Sequence, residues 1–476
     1  MIKTNDDYLD SNKFRKILEK YEESVKSGQP EFLDAEDLTD IAQYYSLVEN
    51  WDKARETVDY AIRLHPGAVS SLVFKSRMTL LKDNNPEEAE RIADLAEDKN
   101  DLDYYYIKAE ILLAQHKTKE ADDYLLDCLK NIGPDDYEDF LFDVANMYED
   151  YEQFDKTEEW LLRSKTKTDS IEYKELMACA LLQSGNFEGS KATFNELIDK
   201  NPYSAKYWKS LALAQQLNGE ISDSISSIEY AIAIDPSDND AVRSKADGLF
   251  KLDNYEEAIN YYQRCANNCP LDESGEMMIG ICYYNMQKSE EAILHLKKAE
   301  DIAEPESENL VQIYQELALS LNERKQYNEA LSYIDKTDDL DCDHIDMKVL
   351  KGHILLAERK LDDAMDIFRE AFSDSKSSPE VLLQIGVSIF ENKYIEKAYE
   401  IFGILFKICD LDWSVGYSHM AVCCKKLGKE AEFINFVRVA SERNPLEAKE
   451  ILGYLFPSGM DPGDYYQYLY NKLNNK

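Results

Sequence analysis

One spacing limits what this chain can fold into more than any other feature does. Small residues recur at Ala54, Ala89, Ala121, Thr157, Ser190, Ser224, Ala258, Ala292, Ala330, Ala364 and Ala398, at intervals of 32 to 38 residues and most often 34. A second column, not needed to set this register, lies twelve residues before each: Ala42, Arg77, Ala109, Ala145, Ala178, Ala212, Ala246, Gly280, Ala318, Gly352 and Gly386. All but Arg77 are Ala or Gly. A period near 34 is too long for one helix and suits a pair of helices stacked in an array. Small side chains at both columns let the two helices of a pair cross closely, while larger residues fill the space around the crossing.

Punctuation agrees with the period. Pro66, Pro202, Pro236 and Pro270 fall twelve residues after their anchors, with Pro134 and Pro305 one place late. Proline cannot continue a helix interior, so each ends a unit. Turn-forming stretches such as SGNF at 184–187, LNGE at 217–220 and LDNY at 252–255 separate the two helices of a unit. A twelfth unit is anchored on Ala421, Gly428, Ala440 and Pro445, with Phe433 in place of its second small residue.

These columns resemble the tetratricopeptide repeat family, most clearly at Trp208, Leu211, Ala212, Gly219, Ser224, Ala231 and Pro236, and at Tyr255, Ala258, Tyr262 and Pro270. The resemblance implies an all-α fold, a right-handed superhelical solenoid of about twelve helix pairs with terminal capping helices. It divides the chain into an amino-terminal capping helix in residues 1–34, an array over 35–446 and carboxyl-terminal capping helices in 447–476. Arg77 and Pro86 break columns in the second unit, and Thr157 and Ser164 soften the fourth, so the register is loosest in units two to four.

Composition narrows the partners. With Lys and Arg at 54 against Asp and Glu at 94, the net charge of −40 repels phosphate backbones and anionic lipid, so neither nucleic acid nor membrane is an expected partner. No apolar run nears the ~18 residues that span a bilayer, and MIKTNDDYLD lacks the regions of a signal peptide. Nine scattered cysteines without a framework spacing fit a reducing compartment, and the expected location is cytoplasmic. Cys265 and Cys269 could share a metal, yet no histidine or second thiol pair stands near them in sequence, so no metal or other cofactor is expected. The six histidines show no ligand or nucleophile spacing, and no domain is left over outside the array to hold an active site. A non-catalytic protein is expected.

The resemblance also implies where a partner would lie. The family's inner groove is lined by the first helix of each unit, mainly at its second, fifth, ninth and twelfth positions. In units two to five these include Phe74, Met78, Asp103, Tyr106, Glu110, Asp139, Phe142, Asn146, Glu149, Glu172 and Glu175. Of these, Phe74, Met78, Tyr106, Glu110, Phe142, Asn146 and Glu175 are the expected partner-binding residues, and such an aromatic and acidic face would select a basic peptide or protein segment. Some of the aromatics can equally belong to the core. The Lys, Asn and Arg set with which some family members grip a chaperone's terminal carboxylate has no counterpart on any consecutive units.

The rival expectation is a structural subunit of a homo-oligomer or larger complex. The second helix of unit eleven, AYEIFGILFKI, is apolar nearly all round, so its outer face calls for cover. Unit twelve continues the trend with EFINFVRVA, and either a homodimer through the carboxyl-terminal third would supply the cover, or the tail would shield these last units through Tyr465, Tyr466, Tyr468, Leu469 and Leu473.

Overall fold

In the computed structural model, which describes residues 6–9, 11–27 and 32–474, the chain is helical almost throughout, with no strand among the described residues. Its contacts divide it into two units, Met1–Pro236 and Ser237–Lys476. The first holds six helix pairs: Ala35–Leu47 with Trp51–Leu64, Val69–Leu81 with Pro86–Ala93, Leu102–Ala114 with Thr118–Cys128, Tyr137–Asp150 with Phe154–Leu161, Ile171–Gln183 with Phe187–Lys200, and Ala205–Leu217 with Ile221–Ile234. The second holds six more: Asn239–Lys251 with Tyr255–Asn268, Ser274–Asn285 with Ser289–Ile302, Leu310–Glu323 with Tyr327–Lys336, Ile345–Ala357 with Leu361–Asp374, Pro379–Glu391 with Ile395–Ile408, and Tyr417–Lys426 with Glu430–Arg443. They are called pairs one to twelve below. The fold is an all-α helical solenoid.

Both small columns are buried at the crossing of each pair. Every alanine in them is 4% exposed or less, and Ser190 and Ser224 donate from Oγ to the carbonyls of Ala178 and Ala212, the small residues they face, at 2.9 and 2.7 Å. Where the first column is glycine, the reason is direct. A Cβ on Gly352 would lie 2.3 Å from Phe368 Cε1, and one on Gly280 would lie 2.6 Å from Leu296 Cγ.

Between the two helices of a pair the chain reverses through one residue of positive φ, and it does so in all twelve pairs. Gly185, Gly219 and Gly428 take that place in three of them, and Glu49, Asn84, His116, Glu152, Asp253, Gln287, Lys325, Arg359 and Lys393 in the rest. At Gly219 (φ 82°) nothing crowds the absent Cβ, so the glycine there relieves the backbone alone. Pro66, Pro202, Pro236 and Pro270 each stand two residues beyond a second helix. Pro86 and Pro445 instead occupy the first turn of a helix, where a missing N–H costs nothing. Most second helices run fourteen residues, as at Phe187–Lys200. Those of pairs two and four are cut to eight, which is the irregularity that blurs the repeat in this stretch.

Second helices pack on the next first helix from pair one to two, two to three, four to five and five to six, and from each of pairs seven to eleven to the pair after it, and first helices of neighbouring pairs also pack on one another: pairs one to three in succession, four on five, and eight to twelve in succession. No two consecutive second helices pack to that extent among the described residues. The first-helix side is therefore the tighter one within each unit.

Both ends of the array are covered. Helix Asn12–Ser27 buries Phe14 and Tyr21 against pair one, with the Tyr21 hydroxyl 3.0 Å from Thr57 Oγ1. At the other end Pro445–Leu452 packs on both helices of pair twelve, and Tyr465–Asn474 on its second helix, with Tyr465 stacked on Phe456 at 3.8 Å between centroids. Tyr468 and Leu469 join this cluster, whereas the Leu473 side chain lies outside the described residues. The outer face of the second helix in pair eleven keeps Ile404 and Ile408 exposed, at 44% and 42%.

Because the crossing tolerates no added volume, Gly352→Ala and Ala258→Leu are each expected to destabilise the chain by about 1–3 kcal/mol. Chemical denaturation followed by circular dichroism checks this. Parent-like midpoints for both would show that the two columns do not set the helix spacing.

Candidate functional site

The first-helix face of pairs two to five is where the expected binding residues fall, and the structure separates them into three groups. Phe74 and Met78 join the core shared by pairs one and two, with Met78 only 7% exposed. Tyr106 and Phe142 pack into the next core. Tyr106 stacks on Phe140 at 5.7 Å, and its hydroxyl donates to Asp143 Oδ2 at 3.1 Å. Burial, then Asp143, raises the Tyr106 phenol well above its ordinary range, so it stays a donor. Asn146 uses its amide nitrogen on the Phe142 carbonyl at 2.8 Å, bracing its own helix. Glu110 and Glu175 are the charged members of the set.

Glu110 is already matched. Arg77, which stands where every other unit has Ala or Gly, donates from Nε and Nη2 to the two Glu110 oxygens, both at 2.8 Å. Both side chains are mostly buried, at 17% and 13% exposure. The irregular Arg77 thus replaces a close helix contact with a two-pronged ion pair to the next first helix. A sequence clue existed, since Glu110 follows Arg77 by 33 residues, about one period, but a broken column reads as noise until its partner is seen. Tyr151 adds to this enclosure. Its hydroxyl is buried without a hydrogen-bond partner, and burial, with Glu110 next, holds its phenol above the ordinary range.

Glu175 is more open. Lys206 of pair six approaches it at 3.4 Å, with the lysine largely exposed. Asp139 is paired with Lys167. Asp103, Glu149 and Glu172 make no ion pair among the described residues, and burial followed by the neighbouring Asp101 raises the Asp103 pKa while Arg77 opposes the rise. The carboxylates still open to a partner on this face are therefore Asp103, Glu149, Glu172 and, in part, Glu175.

A structural acid lies on the opposite side of the same pairs. Asp122, 8% exposed, accepts from Trp160 Nε1 at 2.8 Å and Lys156 Nζ at 2.7 Å, clamping pair three to pair four. The sequence reading missed it because one Asp among 94 acidic residues carries no mark of burial. Burial is the main cause that raises the thiols of Cys179, Cys265, Cys282, Cys423 and Cys424, the opposite of what an activated nucleophile needs. Among the described residues no group of three His, Cys, Asp or Glu is placed to hold a metal, and no helix is long and apolar enough to cross a membrane.

Residues 176–239 match a tetratricopeptide repeat model, and residues 245–270 match a second one. Among curated proteins the chain is similar to anaphase-promoting complex subunit 3 of Schizosaccharomyces pombe, 22% identical over 262 residues. That match covers 54% of this chain and only 38% of the relative's length. Solved structures that resemble it include a tetratricopeptide repeat protein of Parabacteroides merdae, 16% identical, covering 50% of this chain and 93% of that one with a TM-score of 0.43. Another is pilF of Pseudomonas aeruginosa, 17% identical, covering 50% and 99% with a TM-score of 0.37.

Removing Arg77 would strand a mostly buried carboxylate, so Arg77→Ala is expected to cost about 3 kcal/mol. Replacing both partners, as Arg77→Met with Glu110→Leu, should recover most of that loss. Denaturant midpoints of the single and double variants make the comparison, and an Arg77→Ala protein as stable as the parent would deny the pair its structural role.

Proposed function

We propose that this chain, a member of the tetratricopeptide repeat family, is a non-catalytic protein-interaction scaffold that receives a basic peptide or protein segment on the first-helix face of pairs two to five. The observation that carries the reading is the set of carboxylates on that face that make no ion pair among the described residues, Asp103, Glu149 and Glu172, beside the half-matched Glu175. A lysine or arginine of the partner would gain charge-assisted bonds there without displacing an internal one. Phe142, only half-buried, supplies apolar area next to these acids, while Tyr106 lies in the core beneath. Glu110 and Asn146 contribute by holding the face in shape through Arg77 and the Phe142 carbonyl.

The test is binding of lysine-rich and glutamate-rich peptides of equal length to the full chain at low and high salt. The lysine-rich peptide should bind at low salt and release at high salt, because exposed charge pairs are screened. The Asp103→Lys, Glu149→Lys, Glu172→Lys variant should lose that binding by about tenfold or more while keeping its helical circular dichroism. Equal binding of both peptides, or indifference to the triple reversal, overturns the reading.

A second reading, a subunit of a homo-oligomer or larger assembly, draws on the exposed Ile404, Ile408 and Leu411, the last 94% exposed, at the outer side of pair eleven. On that reading the chain in dilute solution sediments at twice its own mass, and Ile404→Asp with Ile408→Asp returns it to a monomer. A parent chain that is already monomeric at every concentration removes the homodimer.

A further inference from the structure

Only the turn that joins pair nine to pair ten carries both a cysteine and a histidine. It reads TDDLDCDHID over residues 337–346, and its aspartates 338, 339, 341, 343 and 346 are all exposed. Cys342 Sγ and His344 Nδ1 lie 3.6 Å apart, and both residues are half-buried, so solvent reaches them. His344 stands at the N-cap of the first helix of pair ten, yet its side chain makes no capping bond. Asp343 Oδ1 accepts from Ile345 N at 2.9 Å instead, which leaves the imidazole to face the thiol. The pairing runs against the expectation that no histidine of this chain has ligand spacing.

The separation decides what this pair suits. Zinc sits about 2.3 Å from a thiolate and about 2.1 Å from an imidazole nitrogen, and a tetrahedral angle between those bonds sets sulfur and nitrogen about 3.6 Å apart. With the same bonds a linear ion would need about 4.4 Å, and a right-angled octahedral one about 3.1 Å. The observed separation is the tetrahedral one. It also suits a thiol–imidazole hydrogen bond, so an ion would enter where the shared proton lies, leaving a thiolate and releasing that proton to solvent. Charge favours the entry, because the five carboxylates concentrate cations at the turn. The lysines that flank it are committed elsewhere: Lys336 bonds Glu300 and Lys348 bonds Asp374, each at 2.5 Å. Burial first, then Asp341, Asp343 and Asp338, raises the Cys342 thiol, so without a cation it is no activated nucleophile.

We propose that Cys342 and His344 form a zinc site, in which Cys342 Sγ and His344 Nδ1 chelate one Zn²⁺ at the turn between pairs nine and ten. Sulfur and imidazole select zinc over magnesium or calcium, which take oxygen ligands. Among the described residues no third His, Cys, Asp or Glu is placed to complete the shell. Two positions of the tetrahedron therefore stay open to water or to a side chain of another molecule, and the ion exchanges with solution rather than being sealed in as at a closed structural site. The site lies on a turn between pairs, away from the face of pairs two to five, and does not rest on the scaffold reading.

The experiment titrates the reduced full chain with Co²⁺, which adopts zinc's geometry and reports its ligands by absorption. Expected are a near-ultraviolet thiolate-to-cobalt band and the intense visible bands of a tetrahedral ion, saturating at one ion per chain and erased by added Zn²⁺. Cys342→Ser should abolish the thiolate band, and His344→Gln should weaken the affinity by about tenfold or more, while Cys269→Ser keeps both. Both ligands sit in a turn outside the helix crossings, so the variants should keep the helical circular dichroism of the parent, and Cys342→Ala serves if Cys342→Ser does not fold. The proposal is overturned if the parent shows no thiolate band, if Cys342→Ser retains it, or if His344→Gln binds as tightly as the parent. Loss of the band with Cys269→Ser alone would place the ion at Cys265 and Cys269 and overturn it equally.

Discussion

Everything in this molecule depends on how closely two helices can cross within a pair. Ala or Gly at the two columns brings the backbones together, and the neighbours are fixed around that approach: Phe368 fills the space over Gly352, Phe402 that over Gly386 and Leu296 that over Gly280. One pair alone buries only part of its apolar surface, so it must stack on the next, and the buried residues join into clusters that run across several pairs. The positive-φ residue that turns the chain between the two helices recurs in every pair because the crossing leaves room for only one kind of reversal.

The same constraint explains where irregular residues are tolerated. An Arg at a small column should prise the helices apart, and Arg77 avoids this by directing its guanidinium to Glu110 on the neighbouring first helix. The second helix of that pair is shortened to Pro86–Ala93. Pair four, also shortened, is held from the other side by the clamp of Asp122 on Trp160 and Lys156. Polar anchors take over where the apolar repeat weakens.

What was legible in the sequence was the part set by repetition. The columns, the proline stops and the number of pairs all recur, so a single chain contains many examples of each. The site was less legible because it rests on single long-range partnerships. Met78 and Tyr106 satisfy the groove positions yet are mainly core, and position alone could not tell these roles apart. Glu110 looked like an open carboxylate until Arg77 was placed beside it. The tail packs on pair twelve, whose Phe433 and Val437 share an apolar cluster with Tyr465, and leaves Ile404 and Ile408 of pair eleven exposed. The turn residue was legible only at the glycines, since Arg359 and Lys393 adopt the same positive φ with no signal in their identity.

Charge follows the repeat as well. Many cations bond a carboxylate about one period away: Arg77 with Glu110, Lys156 with Asp122, Lys297 with Glu329, Arg324 with Glu290 and Lys336 with Glu300. Tyr399 and Tyr333 donate across the same interval to Glu432 and Glu300. Each exposed pair contributes at most about 1 kcal/mol, and each commits a lysine or arginine to joining one helix pair to the next. With 54 basic residues against 94 acidic ones, the carboxylates that remain outnumber the cations free to meet them. The first-helix face of pairs two to five inherits that imbalance, and the proposed basic segment is the kind of partner that would restore it.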